Sequence, residues 1–442
     1  MKLLPGPKSK ALFNEEQRHL ASGLQSIALF SELVIQKAQG VYLEDLDGNR
    51  FIDLTAGIGV GSIGHSHPHY VKLLSDQIQK ITFGSFTTEN RVQFLKLLTS
   101  MAPHGLDSAQ LYSGGAEAVE AALRLAKSVT KKFEFVGFSG GFHGKTGGVL
   151  GLLGDTSFKK GLGPMMPGLH SMAGYAYCYR CPLKMRHPEC ALACVELFRS
   201  SIKHQTTHSI AAIIVEPMQG TAGNVIPPKG FLTAVKEVAK EFDALLIADE
   251  MLTGFGRTGK MWGCDHEQII PDVMTVGKGI GGGFPLSAIV SSKKNTSTPP
   301  FGNPSGSSSS YGGNPLAATA GRAALETIMN EKLVENSQKI GALILTRLQE
   351  IKEKSSIIGN VRGLGLMIGV ELVEDKKSKV PLGKKYTRQL FHECLKRGLI
   401  SMCYSHNIRI NPPLVINASE AEEAVNILEE SLNVIAKEHR KN

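Results

Sequence analysis

Three near-continuous apolar runs limit the possible folds of this chain more than any other feature. They are SIAAIIVEP (209–217), ALLIADE (244–250) and DVMTVGK (272–278), and each carries a charged residue at or near its end. A strand with one wet face alternates apolar and polar residues. An unbroken apolar run needs cover on both faces, as a strand inside a parallel sheet has. Parallel neighbours require crossovers, and helical patterns between the runs supply them as βαβ units. AQLY (109–112) and FEFVGF (133–138) read as further strands, and Ala116 to Lys127, rich in Ala and Leu, as a strong helix. The expected class is α/β, with a mostly parallel central sheet flanked by helices.

Patterns change toward both ends. The first forty residues read as a surface arm and a short helix. VYLEDLDGNRFIDL (41–54) reads as a hairpin turning at Asp47-Gly48-Asn49. Tyr70, Val71, Leu74 and Ile78 make an apolar stripe on a helix from Pro68 to about Ile81. Ser291 to Ser310 is a long polar loop. After Asn314 two long helices are expected. GLMIGVEL, LISMC and NIRI follow as strands, and an amphipathic helix closes the chain from about Ser419 to Ala436. Residues 1–64 and 329–442 are therefore expected to form a smaller α/β domain around a large domain of residues 65–328.

Composition enters as a filter. With 442 residues, 42% hydrophobic and 20% charged, the chain is expected to be globular, not disordered or fibrous. Its 48 glycines suggest many turns and close ligand approaches. The net charge of +9 is scattered, which favours an anionic ligand over a nucleic-acid surface. The start, MKLLPGPKSKALF, is too broken by Pro5 and Pro7 for a signal peptide, and no stretch suggests a membrane span. The seven cysteines do not read as a secreted disulfide framework, so a cytoplasmic location is expected.

Two glycine-rich stretches imitate nucleotide sites and would suit a non-enzymatic nucleotide-binding protein. Gly59 to Gly64 matches GxGxxG, but its helix starts only after Pro68 and no acidic partner follows clearly. Gly254 to Lys260 resembles a phosphate loop, but Met261 stands where magnesium needs a hydroxyl.

A better constellation lies at strand ends, where open parallel sheets bind ligands. Asp249 closes one run and Lys278 another. Gly114 and Gly115 lead into the helix from Ala116, whose free N–H groups and positive end suit a phosphate. A lysine can form an imine with a carbonyl, and a buried aspartate can keep a ring nitrogen protonated. Together the three describe a pyridoxal 5'-phosphate site.

From about Gly40 to the last helix the chain resembles the class III, or ω-, aminotransferases, which have the fold-type I pyridoxal-phosphate fold. SGGAEAVEAALRLA is similar to the family's phosphate cup, implying contacts from Gly114, Gly115 and Ala116. GGFHGKT is similar to the ring-stacking segment, with Phe142 on the cofactor face and His143 beside it. VEPMQG carries Glu216. IADEMLTGFGRTG carries the pyridinium aspartate Asp249 and sets Met251 on the other cofactor face. TVGKGIGGGFPLSA carries the Schiff-base lysine Lys278. SYGGNPLA carries Ser310, whose hydroxyl would reach the phosphate of a neighbouring subunit, and NIRINPPL carries Arg409, a carboxylate fork. The family often has Ser at Gly114 and Gln at Leu252. The resemblance implies a homodimer with shared sites and a ping-pong transfer of an amino group. Lys278 would move the proton at the substrate carbon. Glu216 would neutralise Arg409 when no carboxylate is bound there. The expected donor is an ω-amino acid or amine such as 4-aminobutyrate, and the acceptor a 2-oxo acid, 2-oxoglutarate or pyruvate. A racemase or epimerase of the same family is the alternative.

Cys178, Cys181, Cys190 and Cys194 have the spacing C-x2-C-x8-C-x3-C, open to zinc or an iron–sulfur cluster. Some 4-aminobutyrate aminotransferases carry a cluster in a comparable region. Structural thiols in an insertion are the preferred reading. His65, His67 and His69 alternate before a helix; the resemblance explains His65 and His67 through the family's GHxHP motif, and no metal is expected.

Overall fold

A computed structural model describes residues 4–441, and they divide into two compact units. One spans His69–Val334. The other joins the chain up to Pro68 to the chain from Glu335 onward.

The larger unit is built on a seven-stranded sheet. Its spatial order is Ser108–Tyr112, Ser287–Ser291, Val273–Val276, Leu245–Asp249, Ile210–Val215, Glu134–Phe138 and Leu169–Met172. Five of these run parallel in succession, from Val273–Val276 to Leu169–Met172. Ser287–Ser291 is antiparallel to both its neighbours, which breaks the parallel run near one edge. Every residue of Ile210–Val215 is buried, as two-sided cover requires.

Helix Gly115–Thr130 supplies part of that cover. Ala118, Val119, Ala122, Leu125 and Ala126 recur at helical spacing and are fully buried in one core cluster with Phe135, Ala212, Ile214 and Ile247. Each buried Val or Leu contributes roughly 1.5–3 kcal/mol. The small alanines bring helix and sheet close together. The helix ends where Lys131 turns left-handed, at φ 60°.

The smaller unit holds two sheets. In one, the hairpin Tyr42–Asp45 and Arg50–Asp53 is flanked by Ile35–Gln39 and by Leu399–Ile400. The other is Ile358–Leu364, Met367–Leu372 and Asn407–Ile410. Helices Lys384–Lys396 and Ala418–Lys441 belong to this unit.

Some elements differ from expectation. The N-terminal arm holds two helices, Pro7–His19 and Ser26–Ser31, and the edge strand Ile35–Gln39. That strand is mostly exposed and polar, so it carries no hydrophobic period. Ile358–Leu364 escapes the pattern because only Ile358 and Val361 along it are buried. Among the described residues no helix is long and apolar enough to cross a membrane.

Candidate active site

Three adjacent strands of the larger unit lead into Glu216, Asp249 and Lys278. Asp249 ends its strand and is 2% exposed. Its Oδ2 accepts from Nδ1 of His143 at 2.7 Å. Its Oδ1 accepts from the Thr275 hydroxyl at 3.0 Å and from the Met251 N–H at 3.2 Å. Thr275 lies directly across the ladder on the next strand. A buried carboxylate needs such donors to stay charged, and a charged carboxylate here can hold a further N–H.

His143 is fully buried beside Asp249. Burial alone would lower its pKa, but the hydrogen bond and charge of Asp249 raise it above the usual value. Glu216 lies just past strand Ile210–Val215. Its two oxygens accept from the N–H groups of Phe142, at 2.8 Å, and Gly220, at 3.0 Å. Burial pushes its pKa up to about 7, with His143 pulling down and Asp249 pushing up. Tyr175, also buried, donates to the carbonyls of Glu216 and Pro217.

Close backbone approaches shape the rest. A Cβ on Gly144 would lie 2.4 Å from the Ala116 Cβ, so only glycine lets the Phe142–Gly144 loop rest on the helix start. Met251 Sδ would stand 2.5 Å from a Cβ on Gly277 and 3.3 Å from one on Gly115, so this thioether lies against both glycines. At the helix start, Glu117 accepts from the N–H groups of Ser113 and Gly114. The N–H groups of Gly115 and Ala116 meet no acceptor among the described residues. Two open donors at a helix N-terminus are an anion site. Gly114 therefore serves as the cap, with its own N–H already engaged.

Lys278 follows Val273–Val276 after Gly277 and is half-buried. Its φ of 46° is a strained value for a residue with a Cβ. Ser310 is exposed in the loop before helix Pro315–Asn330. Arg409 belongs to the other unit, on Asn407–Ile410.

Sequence reasoning passed over Thr275, Tyr175 and Lys145. Lys145 was visible as the lysine of GGFHGKT. It is exposed, and its ammonium lies 5.9 Å from the Phe142 ring centre and 5.0 Å from that of Phe158. The two rings meet edge to face at 5.4 Å. Thr275 and Tyr175 had no such signal.

The nucleotide-like stretches are something else. Gly254 to Gly259 is buried and turns back on itself, with Gly256 N–H bonded to Met261 O. His65 donates to Asp53 at 2.9 Å, and His69 pairs with Glu326 at 2.7 Å. Among the described residues no group of three or more His, Cys, Asp or Glu is placed to hold a metal ion.

The family model Aminotransferase class-III matches residues 26–432. The alanine/serine racemase of Pyrococcus horikoshii is 33% identical, over 97% of this chain and 91% of its own. The 4-aminobutyrate aminotransferase of Mycobacterium leprae is also 33% identical, over 96% of each. An amine transaminase from an uncultivated Pseudomonas species, solved with pyridoxal phosphate bound, superposes with a TM-score of 0.86 at 29% identity. That match covers 94% of this chain and 98% of the other. The chain belongs to the class-III aminotransferase family, has the fold-type I architecture and takes pyridoxal 5'-phosphate as its cofactor. Its own residues fit that group, with two orphaned N–H donors for a phosphate and a buried, donor-held aspartate.

Proposed function

We propose that this class-III aminotransferase moves an amino group from an ω-amino acid or amine, of the 4-aminobutyrate type, to 2-oxoglutarate or pyruvate. The observation that carries the reading is Asp249 held by His143 and Thr275 at a strand end, with Met251 lying against Gly115 and Gly277.

Pyridoxal phosphate, when bound, supplies a carbonyl that takes up the donor nitrogen and a ring that accepts electrons. Gly115 and Ala116 hold its phosphate through their N–H groups, and Ser310 adds a hydroxyl from a second copy. Asp249 keeps the ring nitrogen protonated, and His143 keeps Asp249 oriented through its hydrogen bond. Phe142 and Met251 flank the ring. Lys278 is the covalent anchor, and its freed amine moves the proton at the donor's nitrogen-bearing carbon. Lys145 supplies an exposed positive charge for a donor carboxylate. Arg409 forks onto the carboxylate of the 2-oxo acid, the bidentate pairing that suits a guanidinium.

A homodimer follows from the same reading. Its support is the resemblance together with a run of exposed aromatics in one unit: Phe83, Phe86 and Tyr311 are 67%, 71% and 75% exposed. A second copy would cover them. The cytoplasm is the proposed location.

The racemase relative makes a second reading specific. One experiment separates the two. 4-Aminobutyrate alone should convert the yellow protein to its pyridoxamine form, and 2-oxoglutarate should restore the colour. Loss of handedness in a chiral amino acid with no 2-oxo acid present would replace transamination by racemisation.

A further inference from the structure

The outer face of helix Gly115–Thr130 carries a feature that amino transfer does not use. Arg124 and Lys127 follow one another at helical spacing, and Lys131 continues the row just past the helix. With Ser128 they form one wall of a groove, and the loop from Pro300 to Gly306 forms the other. The groove encloses about 610 Å³, the size of a small-ligand site.

The cations in this groove have only neutral partners. Arg124 donates to the Gly306 carbonyl at 3.5 Å. Lys127 lies 5.5 Å from the centre of the Phe135 ring, and Lys131 donates to the Pro299 carbonyl at 3.2 Å. The next residue, Lys132, has the Asp243 carboxylate at 3.0 Å. Among the described residues no carboxylate pairs with Arg124, Lys127 or Lys131. Like charges at this spacing repel. A concave wall of one sign also concentrates its field into the groove. The row from Arg124 to Lys131 spans about 10 Å of helix rise, more than one phosphate covers.

We infer that this groove binds a small molecule carrying a diphosphate or two separate phosphates. Arg124 forks onto one phosphate, and Lys127 and Lys131 neutralise the other. The site is independent of the amino-transfer reading.

The test uses the holoenzyme, whose cofactor already fills the strand-end phosphate site, and inorganic pyrophosphate as the probe. Calorimetry at low salt should give saturable binding with Kd below about 1 mM, weakening as salt rises. The double variant Lys127→Gln/Lys131→Gln should bind at least about tenfold more weakly at unchanged transaminase activity. Hydrogen exchange should slow over residues 124–131 and 300–306 when the probe is added. Absence of saturable heat, equal affinity in the double variant, or protection elsewhere would each overturn the proposal. So would binding seen only with long polyanions such as heparin.

Discussion

Two regions of the larger unit crowd reactive side chains beyond the carboxyl end of a strand, and they differ in burial and hydrogen bonding. Past the inner strands, Asp249, His143 and Glu216 are buried within one hydrogen-bonded arrangement. Past Leu169–Met172, the strand at the sheet's edge, come Cys178, Cys181, Cys190 and Cys194. Those thiols are free and range from half-buried to exposed. Burial pushes the pKa values of Cys178 and Cys194 up, with neighbouring thiols adding to the shift, so they stay protonated and poorly reactive. The difference lies in the neighbours. An inner parallel strand has others ending beside it on both sides, so the groups that follow them converge. An edge strand has one such neighbour, and its loop folds on itself.

Substitutions should break or sharpen this contrast. Asp249→Asn should lower turnover about a thousandfold by removing a preorganised charge, read from the rate of the amine half-reaction in stopped flow. Retention of most of that rate would leave the inner strand ends no better than the edge.

Glu216→Gln has a smaller effect, visible in stability. The folded pKa of Glu216, about 7, lies above its ordinary value of 4.5, so the folded state holds this proton longer. Its contribution is complete below pH 4.5 and is lost as pH rises to about 7, a decline of ~3 kcal/mol. In the cofactor-free protein, urea unfolding at a series of pH values should show that decline flattened in the variant. An unchanged slope would mean that Glu216 titrates normally. The smallest effect belongs to the edge: Cys178→Ser with Cys190→Ser should change stability by less than about 1 kcal/mol and leave transamination intact. A large loss on thermal or urea unfolding would show that the thiols hold the segment together.

How much of this was legible depended on the physical signal. The runs ending at Val215, Asp249 and Val276 were readable as parallel strands because burial on both faces leaves an apolar trace. Lys278, Asp249 and the Gly114–Ala116 start were readable because strand ends and glycines mark ligand approaches. Ser287–Ser291 left no sign of its reversed direction, because a buried strand looks the same either way. Thr275 and Tyr175 acquire their roles only by facing Asp249 and Glu216 across the fold, 26 and 41 residues away.

By itself, the sequence determined the class of fold, the inner parallel strands with the helix from Ala116, and the residue types able to hold a phosphate-bearing cofactor. These follow from local periodicity and from chemistry carried by single side chains. Tertiary structure alone decided which of those residues meet. It engaged the Gly114 N–H in the helix cap and left those of Gly115 and Ala116 open. It joined His143 to Asp249, and it set three cations along a groove where, among the described residues, no carboxylate pairs with them. Hydrogen bonding and burial depend on distances between segments far apart in the chain, and only packing sets those distances.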